Sequence, residues 1–402
     1  MNKVELLAPA GNFESLMAAI QAGADAVYLG IGELNMRATA NLNFEMRDLK
    51  NISELCHKNN IKVYVTLNTV VYDEEIGEIK KIIDEIKKQK IDAIIASDLA
   101  VINYARAIGV EVHISTQMSV SNLETVKFVS QFADRVVLAR ELSLEQITKI
   151  IKEIEFQKIC GPNGKLIEIE VFAHGAMCVG VSGRCQMSLF HYNSSANKGR
   201  CVQMCRRKYR VIDVDTEKEL VLDNNLIMSR SDLCTLDFLD KLVESGVKVL
   251  KIEGRGRGAD YVYKVIKVYK KALEDIENKN YSKEKIEGYL EELKTVFNRG
   301  FSQGFYLGRS VDEWAKGEDN LATEKKQLIG QVNHFYPKPS VVEFKINSGV
   351  KAKNGDNFII TGPVTGIVLG TIEGILFDDN IVTFKIDKKV KKNDKVFLIY
   401  PV

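Results

Sequence analysis

No stretch of this 402-residue chain approaches the roughly 18 consecutive apolar residues of a membrane span, so no membrane-spanning helix is expected. The opening MNKVELLAPAG lacks the basic, apolar and small-residue succession of a secretory leader, and a soluble cytoplasmic protein is the expectation. An excess of one charge sign is also missing: the net charge is only +2, which does not announce a general nucleic-acid binder. There is no helical repeat array, no low-complexity tract and no HExxH zinc helix of a metallopeptidase. With 45% apolar residues the chain can bury a large core across two or three domains, so it needs no disulfide scaffold.

What is present is local. Of seven cysteines, five fall in one region: Cys178, Cys185, Cys201, Cys205 and Cys234. In a reducing compartment such a group reads as metal-binding or catalytic before it reads as disulfide-bonded. Paired CxxC or CxxH knuckles of structural zinc are absent, which disfavours zinc without excluding it. Cys201 and Cys205 begin the CxxxCxxC spacing of radical-forming iron-sulfur enzymes, but Lys208 stands at its third position and an amine cannot replace a thiolate. A cuboidal iron-sulfur cluster held by widely spaced cysteines stays open, beside burial as small hydrophobes. Cys56, inside ISELCHKNN, and Cys160, before GPNG, fit burial better. From Lys198 to Arg210 run six basic residues and no acidic one: Lys198, Arg200, Arg206, Arg207, Lys208 and Arg210. That patch reads as a phosphate-binding surface or as a solvated face.

The first half alternates short β-branched runs with segments of helical period, the pattern of repeated βα units. Eight strands are predicted, near Val4, Val27, Val63, Ile94, Val112, Val136, Val171 and Val249, and eight such units point to an α/β fold of the (β/α)8 TIM-like barrel type. About seventy residues separate the last two strands and carry all five clustered cysteines, with a small hairpin expected in YRVIDVDTEKELVLD. The predicted domains are therefore a barrel over 1–311 with a cysteine-rich insertion at about 175–245, a linker over 312–326, and a small C-terminal antiparallel β-barrel over 327–402. Loops after barrel strands carry active sites in this architecture, so the insertion is placed for chemistry.

Other candidates stand where barrel strands should end. His174 closes the seventh, where it could orient a substrate or bond a cluster sulfur; Glu253, Arg255 and Arg257 follow the eighth in KIEGRGRG, suited to a carboxylate or phosphate. Asn68, Gln117, Arg140 and Glu141 end earlier strands, and Arg37 reads as an anion contact or a surface ion pair. The phrase GFSQG around Ser302 matches a nucleophile-elbow pattern but follows a helical segment, so it is treated as chance.

The segments ELLAPAGNFESLMAAIQAGADAVYLG, KVYVTLN, VFAHGAMCVGVSGRCQMS, NKGRCVQMCRRKY, SDLCTL, KIEGRGRGADYV and FNRGFSQGFYLG closely resemble the collagenase-like peptidase family U32, in order, from about Val4 to Gly308. The resemblance implies either a peptidase, as the family name says, or an oxygen-independent hydroxylase. Well-studied branches of the family hydroxylate transfer RNA, ribosomal RNA or a ubiquinone precursor with a four-iron four-sulfur (4Fe-4S) cluster. By resemblance the ligands are Cys178, Cys185, Cys201 and Cys234, with Cys205 a spare that could replace Cys201 or Cys234. It further implies prephenate as hydroxyl donor, a dicarboxylate for Arg255 or Arg257 to grip, and RNA, most plausibly tRNA, as partner. A zinc-stabilised RNA-binding protein is the remaining alternative.

Overall fold

The computed structural model of the chain describes residues 3–38, 43–221, 226–308, 313–315, 320–347, 349 and 352–402. All eight predicted barrel strands form. In chain order, Glu5–Pro9 (β1), Phe13–Gln21 (α1), Ala26–Gly30 (β2), Leu49–Lys58 (α2), Lys62–Leu67 (β3), Ile76–Lys88 (α3), Ala93–Ala96 (β4) and Leu99–Ala107 (α4) alternate. The alternation continues through Val112–Ile114 (β5), Leu123–Val129 (α5), Arg135–Val137 (β6), Leu144–Gln157 (α6) and Glu168–Gly175 (β7). The insertion then supplies a helix Met187–Tyr192 (α7), the expected hairpin Val211–Ile212 (β8) with Glu219–Leu220 (β9), and Asp232–Cys234 (β10). Leu239–Glu244 (α8), Val249–Ile252 (β11), Ala259–Glu277 (α9), Lys283–Lys294 (α10) and Phe301–Ser302 (β12) complete the first part.

Strands β1 to β7 pair in sequence, all parallel, and β11 closes the barrel by pairing with both β1 and β7. Every residue of β2 and β4 is buried, as strands covered on both faces must be. The helices turn isoleucine and leucine stripes toward these strands; Ile147, Ile150, Ile151 and Ile154 of α6 are one such stripe, started by a Ser143–Gln146 capping box. Inside the barrel a small apolar layer (Leu7, Tyr28, Tyr64, Ile95) lies beside an ionic one. Buried Arg135 bonds Glu5 at 2.8 Å and Glu168 at 2.7 Å, and Lys251 bonds Glu170 at 2.9 Å. No helix of the described residues is long and apolar enough to cross a membrane.

The C-terminal part is an antiparallel sheet of Glu324–Tyr336 (β13), Val341–Ile346 (β14), Asn357–Gly362 (β15), Gly366–Thr371 (β16), Leu376–Asp378 (β17), Ile381–Lys385 (β18) and Lys395–Pro401 (β19). Its order is β16-β15-β19-β13-β14-β18-β17. It curls onto itself as a small barrel: Phe358 of β15 meets Phe384 of β18 with ring centroids 4.8 Å apart, and Lys385 N–H donates to Glu373 O at 3.2 Å. Strand β13 begins at Glu324, within the stretch expected to be linker, and residues 309–312 and 316–319 lie outside the described set. The sheet seats on α1 and α9 through an apolar cluster of Ala18, Ala259, Ile359 and Ile367, fixed by the Gln21 amide on Thr365 O and Ile367 N–H.

Candidate functional site at the barrel mouth

The strand ends and the insertion enclose a cavity of about 120 Å³ at the carboxyl-terminal mouth of the barrel. Two glycines let its walls approach. At Gly175, which closes β7 with φ +108°, a Cβ would lie 2.6 Å from Glu253 O, so only glycine allows β7 and β11 to end side by side. At Gly199, with φ +76°, a Cβ would lie 2.0 Å from Asn35 O; there the insertion loop lies directly on the loop after β2. Arg206 pins the other side, donating to Met177 O at 2.6 Å, Arg230 O at 2.6 Å and Ser229 Oγ at 2.9 Å.

Cys178, Cys185 and Cys201 line this cavity. Cys205 sits beside them, since its neighbour Arg206 bonds Met177 O next to Cys178; burial raises the Cys205 thiol, and Arg206 opposes that. The structure thus gathers these four thiols into one neighbourhood. It does not bring Cys234 there. Cys234 pairs with His174 across β10 and β7, is buried to 4% exposure, and receives the Tyr269 hydroxyl at 3.8 Å. Burial pushes its thiol up to about 12. Among the described residues no three His, Cys, Asp or Glu side chains converge as a preformed metal-ligand group. The soft donor set fits an iron-sulfur cluster in chemistry, and the loops that carry it would have to draw the thiols closer. Cys56 is buried, as expected, whereas Cys160 is exposed, its sulfur on Lys158 O at the opposite end of β7.

Four cationic side chains line the cavity: Arg37, Arg140, Lys251 and Arg255. Arg37 bonds Glu253 at 2.9 Å across the mouth, so its expected ion pair forms inside the site. Burial alone would raise the Glu253 carboxyl; Arg37, Arg257 and Arg140 outweigh it and hold it at about 2. Lys251 is matched by Glu170 beneath it. Arg140 and Arg255 have no carboxylate at ion-pair distance among the described residues. Arg140 lies 3.6 Å over the Phe172 ring, donates to Ala176 O at 2.7 Å, and has a buried Nε without a partner. Arg255 donates to Asn35 Oδ1 and Thr66 Oγ1, and burial pushes its guanidinium down to about 10, still charged at neutral pH. The cavity is a desolvated, net-positive chamber suited to a small anion.

Asn68 and Gln117 line the mouth as expected, hydrogen-bonded to each other at 3.1 Å, while Glu141 is exposed and outside it. His174 does not line the cavity either. It is enclosed by Tyr261, Tyr269 and Phe301, and burial pushes its imidazole down to about 3. Arg257, grouped with Arg255 by sequence, faces elsewhere: it stacks 3.4 Å over Phe297 in a groove between the two domains. Half of the basic stretch is neutralised within the protein, with Lys198 on Glu75, Arg200 on Glu33 and Arg210 on Glu219; Arg206 is held by carbonyls, and Arg207 and Lys208 are exposed. Sequence reading missed Tyr28, Thr66 and Lys251 in the lining; the available signal was a polar side chain inside an otherwise apolar barrel strand.

A parallel barrel whose mouth carries arginines from its strand ends and cysteines from an insertion before the last strand defines the class of this protein. Residues 11–316 match peptidase family U32, and the chain belongs to that family. It is 47% identical over 406 residues, 99% of this chain and 98% of the other, to a protein of Porphyromonas gingivalis named collagenase. It is 33% identical over 410 residues, covering 96% of this chain and 93% of the other, to the tRNA hydroxylation protein P1 of Bacillus subtilis. An Escherichia coli 23S rRNA 5-hydroxycytidine synthase is 28% identical over 405 residues, all of this chain and 56% of that protein.

Proposed function

We propose that this protein is an oxygen-independent RNA hydroxylase, acting on a tRNA pyrimidine, with a four-iron four-sulfur cluster held at the barrel mouth. The carrying observation is that Cys178, Cys185 and Cys201 line the same cavity as the unpaired guanidiniums of Arg140 and Arg255. Cys205 is the fourth ligand in this reading, because Arg206 beside it bonds Met177 O next to Cys178, and Cys234 faces Tyr269 instead. When bound, such a cluster supplies one-electron redox chemistry. The chain's own residues do the rest. Arg140 and Arg255 hold an anionic co-substrate, for which the dicarboxylate prephenate is suited; Phe172 and Tyr28 wall the chamber against water, and Glu253 stays ionised, orienting Arg37 without donating a proton. A base taken out of its stack meets the amides of Asn68 and Gln117 at the rim.

Purification without oxygen should give a brown protein containing iron and acid-labile sulfide, and RNA from cells lacking the gene should lose a hydroxylated nucleoside. A colourless protein carrying one zinc, or unchanged RNA, defeats the reading. The relative named collagenase favours a second reading as a peptidase, which the site supports poorly. The Ser302 hydroxyl is buried and accepts Gly304 N–H at 3.1 Å, and no cysteine among the described residues hydrogen-bonds a histidine. Gelatin cleavage that survives loss of all the mouth cysteines would restore it.

A further inference from the structure

Within the insertion's basic stretch Lys198, Arg200 and Arg210 are paired with carboxylates, so of its exposed cations only Arg207 and Lys208 stay without one among the described residues, and further backbone contacts of an RNA must be sought elsewhere. The groove that receives Arg257 has a volume of about 410 Å³ and lies between the β11–α9 loop and β13, β15 and β19 of the terminal sheet. Its charges are unevenly satisfied. Asp260 pairs with Lys326 at 2.6 Å, and Glu324 pairs with Lys264 at 3.1 Å, so both carboxylates in the lining are already neutralised. Arg257 and Lys325 remain: neither side chain has a hydrogen bond or a carboxylate at salt-bridge distance among the described residues, Arg257 feels Glu253 and Asp232 only at longer range, and both line the groove. The Arg257 guanidinium carbon lies 3.4 Å over the Phe297 ring, which holds the group against an aromatic face while its N–H donors have no acceptor among the described residues and can make a two-pronged contact with phosphate. Gly256 precedes it with open space where a side chain would stand, so an anion can approach the backbone closely there. Arg255 precedes Arg257 by two residues, a span of at most about 7 Å, so the groove opens beside the mouth.

We propose that this inter-domain groove binds a backbone phosphate of the RNA substrate, with Arg257 and Lys325 as its two cationic contacts, one from each domain. The inference rests on the RNA reading above and gives the terminal barrel its role: it completes a phosphate site that the catalytic barrel alone supplies only in half. Neither residue touches the reacting atoms; both position the strand.

The test is the salt dependence of binding, measured by fluorescence anisotropy with bulk tRNA from low to moderate KCl on the full-length protein. Each lost phosphate contact lowers the slope of log affinity against log salt by about 0.7 to 0.9. Arg257→Gln and Lys325→Gln are each expected to lower it by that amount, the double variant by about twice as much, and Arg257→Lys to keep it, while Lys50→Gln on α2 leaves it unchanged. Lys325 is exposed, so its variant reports even if Arg257→Gln folds poorly. Wild-type binding with a slope that neither Gln variant alters overturns the groove assignment and leaves the RNA reading standing. Absence of salt-dependent tRNA binding by the wild type overturns both. Thermal stabilisation by inorganic phosphate that the Gln variants abolish, with an unaltered tRNA slope, would assign the groove to free phosphate and overturn the proposal.

Discussion

The placement of Cys234 outside the group of four thiols gives a reactivity difference large enough to measure. The residue is 4% exposed, enclosed by Tyr269 and the β7–β10 pairing, and burial moves its thiol from 9.0 to about 12. Three units leave the thiolate about a thousandfold scarcer than at an ordinary thiol, before any loss of access is counted. With iodoacetamide under native, oxygen-free conditions and mass quantification of the peptides, exposed Cys178 should alkylate at least about thirtyfold faster than Cys234, because the stronger nucleophilicity of a high-pKa thiolate offsets about half of its scarcity on a logarithmic scale. After loading with iron and sulfide, Cys178, Cys185, Cys201 and Cys205 should all become protected, with the Cys234 rate unchanged. Cys205→Ser should prevent a four-iron stoichiometry, and Cys234→Ala should permit it. The reasoning is refuted if Cys234 alkylates within tenfold of Cys178, or if Cys234→Ala blocks loading while Cys205→Ser does not.

Three further outcomes follow from the same geometry. Arg206→Met removes three charge-assisted hydrogen bonds that tie the Cys205 segment to Met177 and Arg230, and should cost roughly 2–4 kcal/mol in urea unfolding together with faster alkylation of Cys205. Glu253 is held at about 2 against an ordinary 4.5, so it contributes stability that is present above pH 4.5 and lost as pH falls through 2. Glu253→Gln should therefore cost about 3 kcal/mol at pH 7 and little at pH 2, by denaturant titration at each pH. His174, neutral in the fold down to about pH 3 against 6.5 unfolded, leaves stability unaffected above 6.5 and weakens it by about 3 kcal/mol on descent to pH 4.5. A His174→Phe variant, compared with wild type so that buried His113 cancels, should lack that part of the decline.

Much of the fold was legible because its signals are local. A run such as AVYLG is apolar throughout because a parallel strand is covered on both faces, and LSLEQITKIIKEI has a cap and a 3.6-residue stripe. The eight strands, the long insertion, its hairpin and the terminal sheet all followed from such patterns. The family followed from the order of longer motifs.

The sequence by itself determined a barrel, its insertion and a supply of thiols and arginines at strand ends. Only the tertiary structure decided which of them meet. Pairing of β10 with β7 fixes the face to which Cys234 turns, and a one-residue change of register would have sent it to the other. The same geometry turns Arg255 into the mouth and Arg257 onto Phe297, and encloses His174 among aromatic rings. It also matches Lys198, Arg200 and Arg210 with carboxylates, two of them more than a hundred residues away. Side-chain direction and long-range charge pairing depend on contacts between segments far apart in the chain, and spacing along one segment carries no record of them.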